Sequence, residues 1–315
     1  MKKNQTILLT GCTGSGKSTL AIELAKLSDS IIINADSMQV YKCLEILTSR
    51  PTDSQILEYE HALYGHIDCQ NNYNYNAGTW LSEIKKVLSY SKTNNLRPII
   101  VGGTGLYFSL LINGLSNIPK ISLKVKNAAA EIKKSDPHKF FLDLKHFDPE
   151  ILTIIDSKNL VRLQRAWEVY FETGKSIRFW QKEFSQQPLI DLSNVKPIVL
   201  SCETELLKTR IDTRFNKMKE LGVIEEVKTF IQQSKMFSGE QLVKRAIGFV
   251  EIEKYLSGEM TLKDAEKFIT LKTRQYAKKQ RTWFRNQLKG WETVAYGKNN
   301  NFKDLADRIT NSLNL

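Results

Sequence analysis

The chain has little that would place it in a membrane or direct it out of the cell. Its best apolar stretch, residues 99–112, is interrupted by Gly102, Gly103 and Gly105, which is not typical of a membrane-spanning helix. The sequence begins Met-Lys-Lys and enters a strand-like segment without a hydrophobic leader or cleavage site. We therefore expect a cytoplasmic protein that has no membrane partner.

Cysteine is also scarce. The four cysteines are far apart in the sequence, and no two of them form a C-x-x-C pair. We expect neither a disulfide framework nor a structural zinc site, which suits a reducing compartment. The four residues are Cys12, Cys43, Cys69 and Cys202.

Acidic residues are outnumbered by basic ones, and the net charge is +12. The excess is uneven, at +1 over residues 1–119, +4 over residues 120–196 and +7 over residues 197–315. One explanation is a polyanionic partner held mainly by the back half of the chain. The other is a basic surface that only keeps the protein soluble, and composition does not choose between them.

Residues 11–18 match the phosphate-binding pattern G-x-x-x-x-G-K-[ST], directly after an apolar run at residues 7–9. Glycines let successive backbone N–H groups turn toward an anion, and the helix predicted for residues 17–27 adds the positive end of its dipole. Lys17 supplies a full charge, and the Ser18 hydroxyl would ligate Mg²⁺. The alternative is a chance glycine-rich turn. The predicted phosphate-binding residues are Gly11, Cys12, Thr13, Gly14, Ser15, Gly16, Lys17 and Ser18.

Short β-branched runs alternate with stretches of helical periodicity. This alternation predicts an α/β fold, a P-loop NTPase-like parallel sheet flanked by helices. Loops that leave the carboxyl ends of such strands meet at one edge, where ligands bind. The predicted strands are residues 6–10, 30–34, 97–101 and 195–200, and the chain is expected to end in helices.

Residues 119–196 depart from this alternation, because helical segments follow one another without an apolar strand. Asp136-Pro137 and Asp148-Pro149 are each typical of a helix N-cap followed by proline. Gly174, in a second and incomplete Gly-Lys-Ser segment, is predicted to be a helix C-cap. We predict a helical insertion domain at 119–196 within a core formed by residues 1–118 and 197–315.

Three polar positions follow the predicted strands. Asp36 would hold magnesium, act as a general base, or cap the next helix. The amide of Gln39 has the groups to pair with one edge of adenine, although most glutamines do no such thing. Thr104, in a second glycine loop at 102–105, would contact a substrate or merely belong to a tight turn.

Basic residues cluster on two predicted helices. Arg210 and Arg214 are four residues apart and share a helix face, where one of them could disperse leaving-group charge. Residues 272–289 contain seven cations and no acid. Helical spacing places four of these cations in one stripe, opposite Tyr276 and Trp283, and such a stripe favours a nucleic-acid backbone over a merely solvated face. The four are Arg274, Lys278, Arg281 and Arg285.

With these motifs, the chain resembles the tRNA dimethylallyltransferases, also called tRNA isopentenyltransferases, over nearly its full length. The resemblance is most specific in Asp-Ser-Met-Gln-Val-Tyr at 36–41 and Lys-Gln-Arg-Thr-Trp-Phe-Arg at 279–285. It also covers residues 98–107 and 159–170, and the absence of the zinc finger of eukaryotic members indicates the bacterial type. It implies transfer of a dimethylallyl group from dimethylallyl diphosphate to the exocyclic N6 amine of the adenosine just 3′ of the anticodon in tRNA, with release of pyrophosphate.

The resemblance also implies roles by matching position. Asp36 would be the general base, Thr104 would contact the acceptor nucleotide, and Lys17 with Arg214 would stabilise the departing pyrophosphate. Gln39 would contact the adenine. We further expect Mg²⁺ as cofactor, the anticodon stem-loop as the region bound, and a monomer. The expected tRNA-binding residues are Asp36, Ser37, Met38, Gln39, Thr104, Lys126, Arg162, Arg165, Lys278, Arg281 and Arg285.

Three other functions remain open at this stage. A P-loop kinase of a nucleotide or small metabolite would explain the phosphate loop, Asp36 and Arg214, but neither the basic helix nor Gln39. An RNA-binding NTPase and a prenyltransferase of free adenine nucleotides are the other two.

Overall fold

The computed structural model describes residues 5–70, 75–183, 187–237 and 241–312. Within these ranges, six strands form one parallel sheet in the order β3-β2-β4-β1-β5-β6. Since the strands alternate with helices, the predicted α/β architecture is confirmed. The strands are β1 (Thr6–Gly11), β2 (Ser30–Asn34), β3 (Glu60–Ala62), β4 (Arg97–Gly102), β5 (Val195–Cys202) and β6 (Glu292–Tyr296).

Helices account for most of the remaining described structure. Short 3₁₀ helices also occur at Pro149–Thr153, Leu192–Asn194 and Leu242–Arg245. No helix of the described chain is both long and apolar enough to cross a membrane. The α-helices are α1 (Lys17–Ala25), α2 (Glu45–Thr48), α3 (Asp53–Glu58), α4 (Ala77–Thr93), α5 (Gly105–Asn113), α6 (Leu123–Ser135), α7 (Lys139–Phe147), α8 (Leu160–Thr173), α9 (Ile177–Glu183), α10 (Thr204–Glu220), α11 (Val223–Ser234), α12 (Phe249–Leu256), α13 (Leu262–Gln287) and α14 (Phe302–Ser312).

The centre of the sheet is formed by the apolar runs that the sequence makes conspicuous. Leu8 of β1 lies opposite Ile100 of β4 on one side and Pro197 of β5 on the other. Strands buried on both faces need continuous apolar sequence, as β1, β2 and β4 have. Their carboxyl ends share one edge, so the loops that begin after Gly11, Asn34 and Gly102 start side by side.

The chain divides into two compact units, residues 1–112 with 190–315, and residues 113–189. The second unit has its own core around Phe140, Leu144 and Trp167. Its observed limits lie several residues before those expected, 119 and 196. One reason is that the chain rejoins the first unit before β5, where the Ile190 N–H donates to the Leu111 carbonyl at 3.0 Å.

Several local expectations are wrong. Strands β3 and β6 were not expected, since β3 is short and polar and β6 alternates exposed with buried residues. Asp136 is the C-cap of α6 rather than the N-cap of α7, since α7 begins only at Lys139, although the Asp136 side chain does accept the His138 N–H at 3.1 Å. Two other expectations are confirmed. Asp148 is the N-cap of a helix that begins with proline, and this helix is of the 3₁₀ type. Gly174 is the C-cap of α8, with φ of 67°.

The expectation of no disulfide is also wrong. Cys43 and Cys69 form one, with Cα atoms 6.3 Å apart. Sequence separation hides this pair, because parallel pairing of Tyr41 with Ile67 brings the two loops together. Cys12 and Cys202 are free and buried.

Candidate active site

The phosphate loop joins β1 to α1, the strand-loop-helix context that its pattern requires. Gly14 and Gly16 have φ values of 78° and 84°, in the left-handed region that side chains disfavour. Gly16 is also the N-cap of α1, so the helix begins at Lys17 with its positive dipole end at the loop. The backbone therefore has the form of an anion cradle.

Two cations are desolvated beside this cradle. Burial lowers the pKa of Lys17, the negative charge of Asp36 opposes that effect, and Arg214 adds to it. Burial also lowers the pKa of Arg214, again opposed by Asp36. Two half-buried positive charges, the first repelled by the second, favour the binding of an anion between them and the loop.

Two arginines of α10, four residues apart and on one helix face, contact the phosphate loop or a residue bonded to it. Arg214 Nη1 donates to the Thr13 hydroxyl at 2.7 Å. Arg210 donates to the Tyr296 hydroxyl, which donates to the Ser15 carbonyl. Arg214 thus contacts a side chain of the phosphate loop directly, whereas Arg210 is linked to the loop backbone through Tyr296.

Asp36 follows β2 and is held by its own loop. One carboxylate oxygen accepts the Met38 N–H at 2.9 Å, and the Asp36 N–H donates to the Asn34 side chain at 2.8 Å. Trp80, fully buried on α4, donates to the Asn34 carbonyl at 2.9 Å and fixes the strand end. Asp36 is therefore placed by backbone and core contacts, and the hydrogen bond from Met38 engages only one of its two carboxylate oxygens.

Thr104 connects the second glycine loop to the Asp36 loop. Its hydroxyl accepts the Ser37 N–H at 3.0 Å, and its own N–H donates to the Ala35 carbonyl at 3.2 Å. A Cβ at Gly102 would lie 2.0 Å from the same carbonyl, so only glycine allows this approach. The loop after β2 and the loop after β4 are therefore joined by hydrogen bonds and close packing.

Gln39 does not present its amide to a base in this structure. Its Nε2 donates to the carbonyls of Thr48 and Ser49, at 2.9 and 2.8 Å. Both hydrogens of the amide are thereby engaged with the end of α2. The expected two-pronged pairing with adenine would require these bonds to break.

A cavity of about 290 Å³ lies beside Asp36. Thr13 and Arg214 border it on the phosphate-loop side, and Ser37 and Met38 on the other. Burial and then Asp36 raise the pKa of Tyr276, which also faces the cavity, to about 12. The hydroxyl of this tyrosine therefore stays protonated at neutral pH and is able to donate a hydrogen bond.

A second cavity, of about 890 Å³, adjoins the loop at Cys12. Its apolar lining includes Leu200, Leu207 and Ile211. Four cations of α13 line it together, as their spacing predicts, although Arg274 is held in an ion pair with Asp212 at 2.6 Å. These four are Arg274, Lys278, Arg281 and Arg285.

The remaining expected tRNA-binding residues belong to the second unit. Lys126 is on α6, and Arg162 and Arg165 are on α8. Lys126 and Arg162 are exposed, whereas Arg165 contacts Glu168 at 3.5 Å on the same helix. These positions are accessible to a polyanion.

Some site residues were not expected from the sequence. Arg245, Ala246 and Ile247 line the Asp36 cavity just before α12. A signal existed in the glycine that follows them, because Gly248 has φ of 103° and packs against Leu47. A lone glycine after a short apolar segment is too common to predict a site.

Ser18 has an exposed hydroxyl in the first turn of α1. Among the described residues, no group of three or more His, Cys, Asp or Glu side chains could hold a metal ion. Mg²⁺ prefers oxygen ligands, keeps several waters and is commonly held by one protein group together with substrate phosphates. The donor set of this chain fits that mode of binding.

A parallel sheet with a glycine-rich phosphate loop between its first strand and first helix defines the P-loop class of proteins. The family model described as IPP transferase matches residues 39–287. A tRNA dimethylallyltransferase of Cereibacter sphaeroides (strain KD131) is 39% identical over 292 residues, which cover 92% of this chain and 89% of the relative. The chain belongs to the tRNA dimethylallyltransferase family.

Solved structures agree with this assignment. A full-length tRNA isopentenylpyrophosphate transferase from Bacillus halodurans aligns with a TM-score of 0.70 and 26% identity, covering 99% of this chain and 96% of that chain. A eukaryotic dimethylallyltransferase acting on tRNA aligns with a TM-score of 0.78 and 28% identity, covering 99% of this chain and 77% of that one.

Proposed function

We propose that this protein transfers a dimethylallyl group from dimethylallyl diphosphate to the N6 amine of the adenosine 3′-adjacent to the anticodon in tRNA, with release of pyrophosphate. The observation that carries the proposal is the pair of desolvated cations, Lys17 and Arg214, beside a phosphate loop and opposed by the single charge of Asp36. Family membership supplies the reaction class, and this charge arrangement fits a leaving diphosphate.

The chemistry requires help at both ends of the transferred group. The adenine amine is a weak nucleophile, because its lone pair is delocalised into the ring. Asp36 would take the proton as the carbon–nitrogen bond forms. Lys17, Arg214 and the backbone N–H groups of residues 14–18 would stabilise the charge that develops on pyrophosphate as the carbon–oxygen bond breaks.

The two cavities suit the two substrates. The larger has an apolar lining, which matches a prenyl chain, and it meets the phosphate loop at Cys12. The smaller joins Asp36 to Tyr276 and suits a base taken out of its stack, which costs a few kcal/mol. Cys12 borders the first cavity and Thr13 the second, so the transferred carbon would pass at the phosphate loop.

The energy to hold an everted base would come from backbone contacts. The α13 cations, with Lys126, Arg162 and Arg165, would bind tRNA phosphates around the anticodon stem-loop. Ser37, Met38 and Thr104 would contact the acceptor nucleotide, and Gln39 would do so after releasing its bonds to the carbonyls of Thr48 and Ser49. Because tRNA is the substrate, we place the protein in the cytoplasm.

Magnesium would be held by Ser18 and the diphosphate oxygens, and it would neutralise part of the charge on the leaving group. Lys17 and Arg214 would stabilise the same negative charge on the leaving pyrophosphate. Loss of Ser18 should therefore raise the Mg²⁺ concentration needed for half-maximal activity without removing the anion cradle.

A comparison of three substrate pairs tests the function. Pyrophosphate should be released from dimethylallyl diphosphate with unmodified tRNA. It should not be released from dimethylallyl diphosphate with AMP, and ATP should not be consumed with tRNA. ATP hydrolysis or phosphoryl transfer without prenylation would instead support the kinase alternative, which the family assignment does not favour.

A further inference from the structure

One side chain of α13 contacts both glycine-rich loops of the site. Gln280 Oε1 accepts the Thr13 N–H of the phosphate loop at 2.8 Å. Its Nε2 donates to the Gly103 carbonyl of the second loop, also at 2.8 Å. Gln280 is only 6% exposed, although it lies on the helix that carries the cationic stripe.

The fit around this bridge is tight. A Cβ at Gly103 would lie 2.4 Å from the Gln280 amide nitrogen. A Cβ at Gly105 would lie 2.4 Å from the Trp283 ring, one helical turn further along α13. The second loop therefore packs on α13 with no space for a side chain at positions 103 and 105, and this close packing limits its distance from the helix.

The two bridged positions lead directly to the reacting groups. The Thr13 hydroxyl also accepts a hydrogen bond from the Arg214 guanidinium. Gly103 precedes Thr104, whose hydroxyl accepts the Ser37 N–H next to Asp36. One amide thus joins the part of the site that binds the leaving group to the part that holds the base.

We propose that Gln280 is a positioning residue that sets the separation between the phosphate loop and the Thr104–Ser37 surface through one accepted and one donated hydrogen bond. The inference rests on the proposed function, and it assigns Gln280 no contact with either substrate. Both functions of the amide are needed, because Thr13 offers only a donor and Gly103 only an acceptor at these points.

Two variants separate these functions. Gln280→Met keeps the length and removes both bonds, whereas Gln280→Glu keeps the acceptor for Thr13 and loses the donor to Gly103. Gln275→Met, at an exposed position of the same helix, is the matched control. Stopped reactions with dimethylallyl diphosphate and tRNA would give kcat and the KM for each substrate, below the melting temperature of every variant.

We expect Gln280→Met to lower kcat by roughly 10- to 100-fold, because small misplacement of reacting groups costs that much. Its KM for tRNA should change less than about threefold, since backbone contacts determine tRNA binding. Gln280→Glu should recover activity relative to the wild-type protein at the same pH as the pH falls, because burial raises the pKa of a carboxyl and the protonated acid regains a donor for Gly103.

Wild-type kcat in Gln280→Met would overturn the inference. So would a loss that follows the melting temperature, raises the KM for tRNA equally and shows no recovery of Gln280→Glu at low pH. Absence of prenyl transfer by the wild-type protein is a separate result, and it would reject the proposed function itself.

Discussion

At the scale of single residues, the site combines two positive charges, on Lys17 and Arg214, with the negative charge of Asp36. Lys17 and Arg214 lose water on folding, and Asp36 is the carboxylate whose charge opposes that effect in both. Under the proposed function, replacement of Asp36 should therefore affect the chemical step, and replacement of Lys17 should affect the binding of the anion.

Replacement of Asp36 should separate catalysis from binding. Asp36→Asn retains an oxygen that accepts the Met38 N–H, so the loop should keep its form. We expect kcat to fall by about 10²-fold or more with little change in tRNA affinity, because only the base is lost. Single-turnover kinetics and filter binding would measure the two quantities, with exposed Asp68→Asn as control. Equal losses of affinity and rate would contradict the role of base.

The affinity for inorganic pyrophosphate should decrease as the pH rises above neutrality. Burial lowers the pKa of Lys17, so its proton leaves at a lower pH than that of a free lysine, and the attractive charge leaves with it. Lys17→Met should bind more weakly at neutral pH and lose this component of the pH dependence. Calorimetric titration from pH 7 to 10 would test this. An identical profile in both proteins would mean that another group titrates.

At the scale of elements, the sequence predicts the strands and loops whose form follows from a local pattern of residues. The apolar runs of β1, β2 and β4 predict buried parallel strands, and the glycines of the phosphate loop predict its backbone form. Strand β6 could not be predicted, since its exposed residues lower its mean hydropathy. Gln280 and the Arg245–Ile247 segment join the site only through tertiary contacts, which leave no local pattern.

The cationic stripe of α13 should act on tRNA and not on the chemical step. Arg281→Ala is expected to weaken tRNA binding and to reduce the slope of log affinity against log salt by about one unit, as for one lost phosphate contact. Lys267→Ala, exposed on the same helix outside the large cavity, is the control. Equal slopes for both variants would show that the stripe is only a solvated surface.

The Cys43–Cys69 disulfide ties the loop after Gln39 to the loop after β3. Denatured protein without reductant should react as two thiols per chain rather than four. Cys43→Ser should lower the free energy of unfolding by about 3 kcal/mol relative to the oxidised protein, because the closed loop restricts the unfolded chain. Urea titrations with and without dithiothreitol would measure this. A difference that persists in reductant would mean that the bond is not its cause.

At the scale of the whole molecule, the two compact units contribute different features. Residues of the first unit form both cavities, whereas the second unit adds accessible cations on α6 and α8. The sequence predicts this division because the change from strand–helix alternation to consecutive helices is visible. It does not predict its exact limits, which depend on where the chain rejoins the first unit at Ile190.

The proposed reaction uses an anion cradle of the P-loop class to expel pyrophosphate from carbon. Nucleoside mass analysis of tRNA after incubation with dimethylallyl diphosphate tests it most directly. We expect one N6-dimethylallyladenosine per modified tRNA, at the position 3′ of the anticodon, with an equal amount of pyrophosphate released. Unchanged tRNA, together with consumption of ATP, would contradict it.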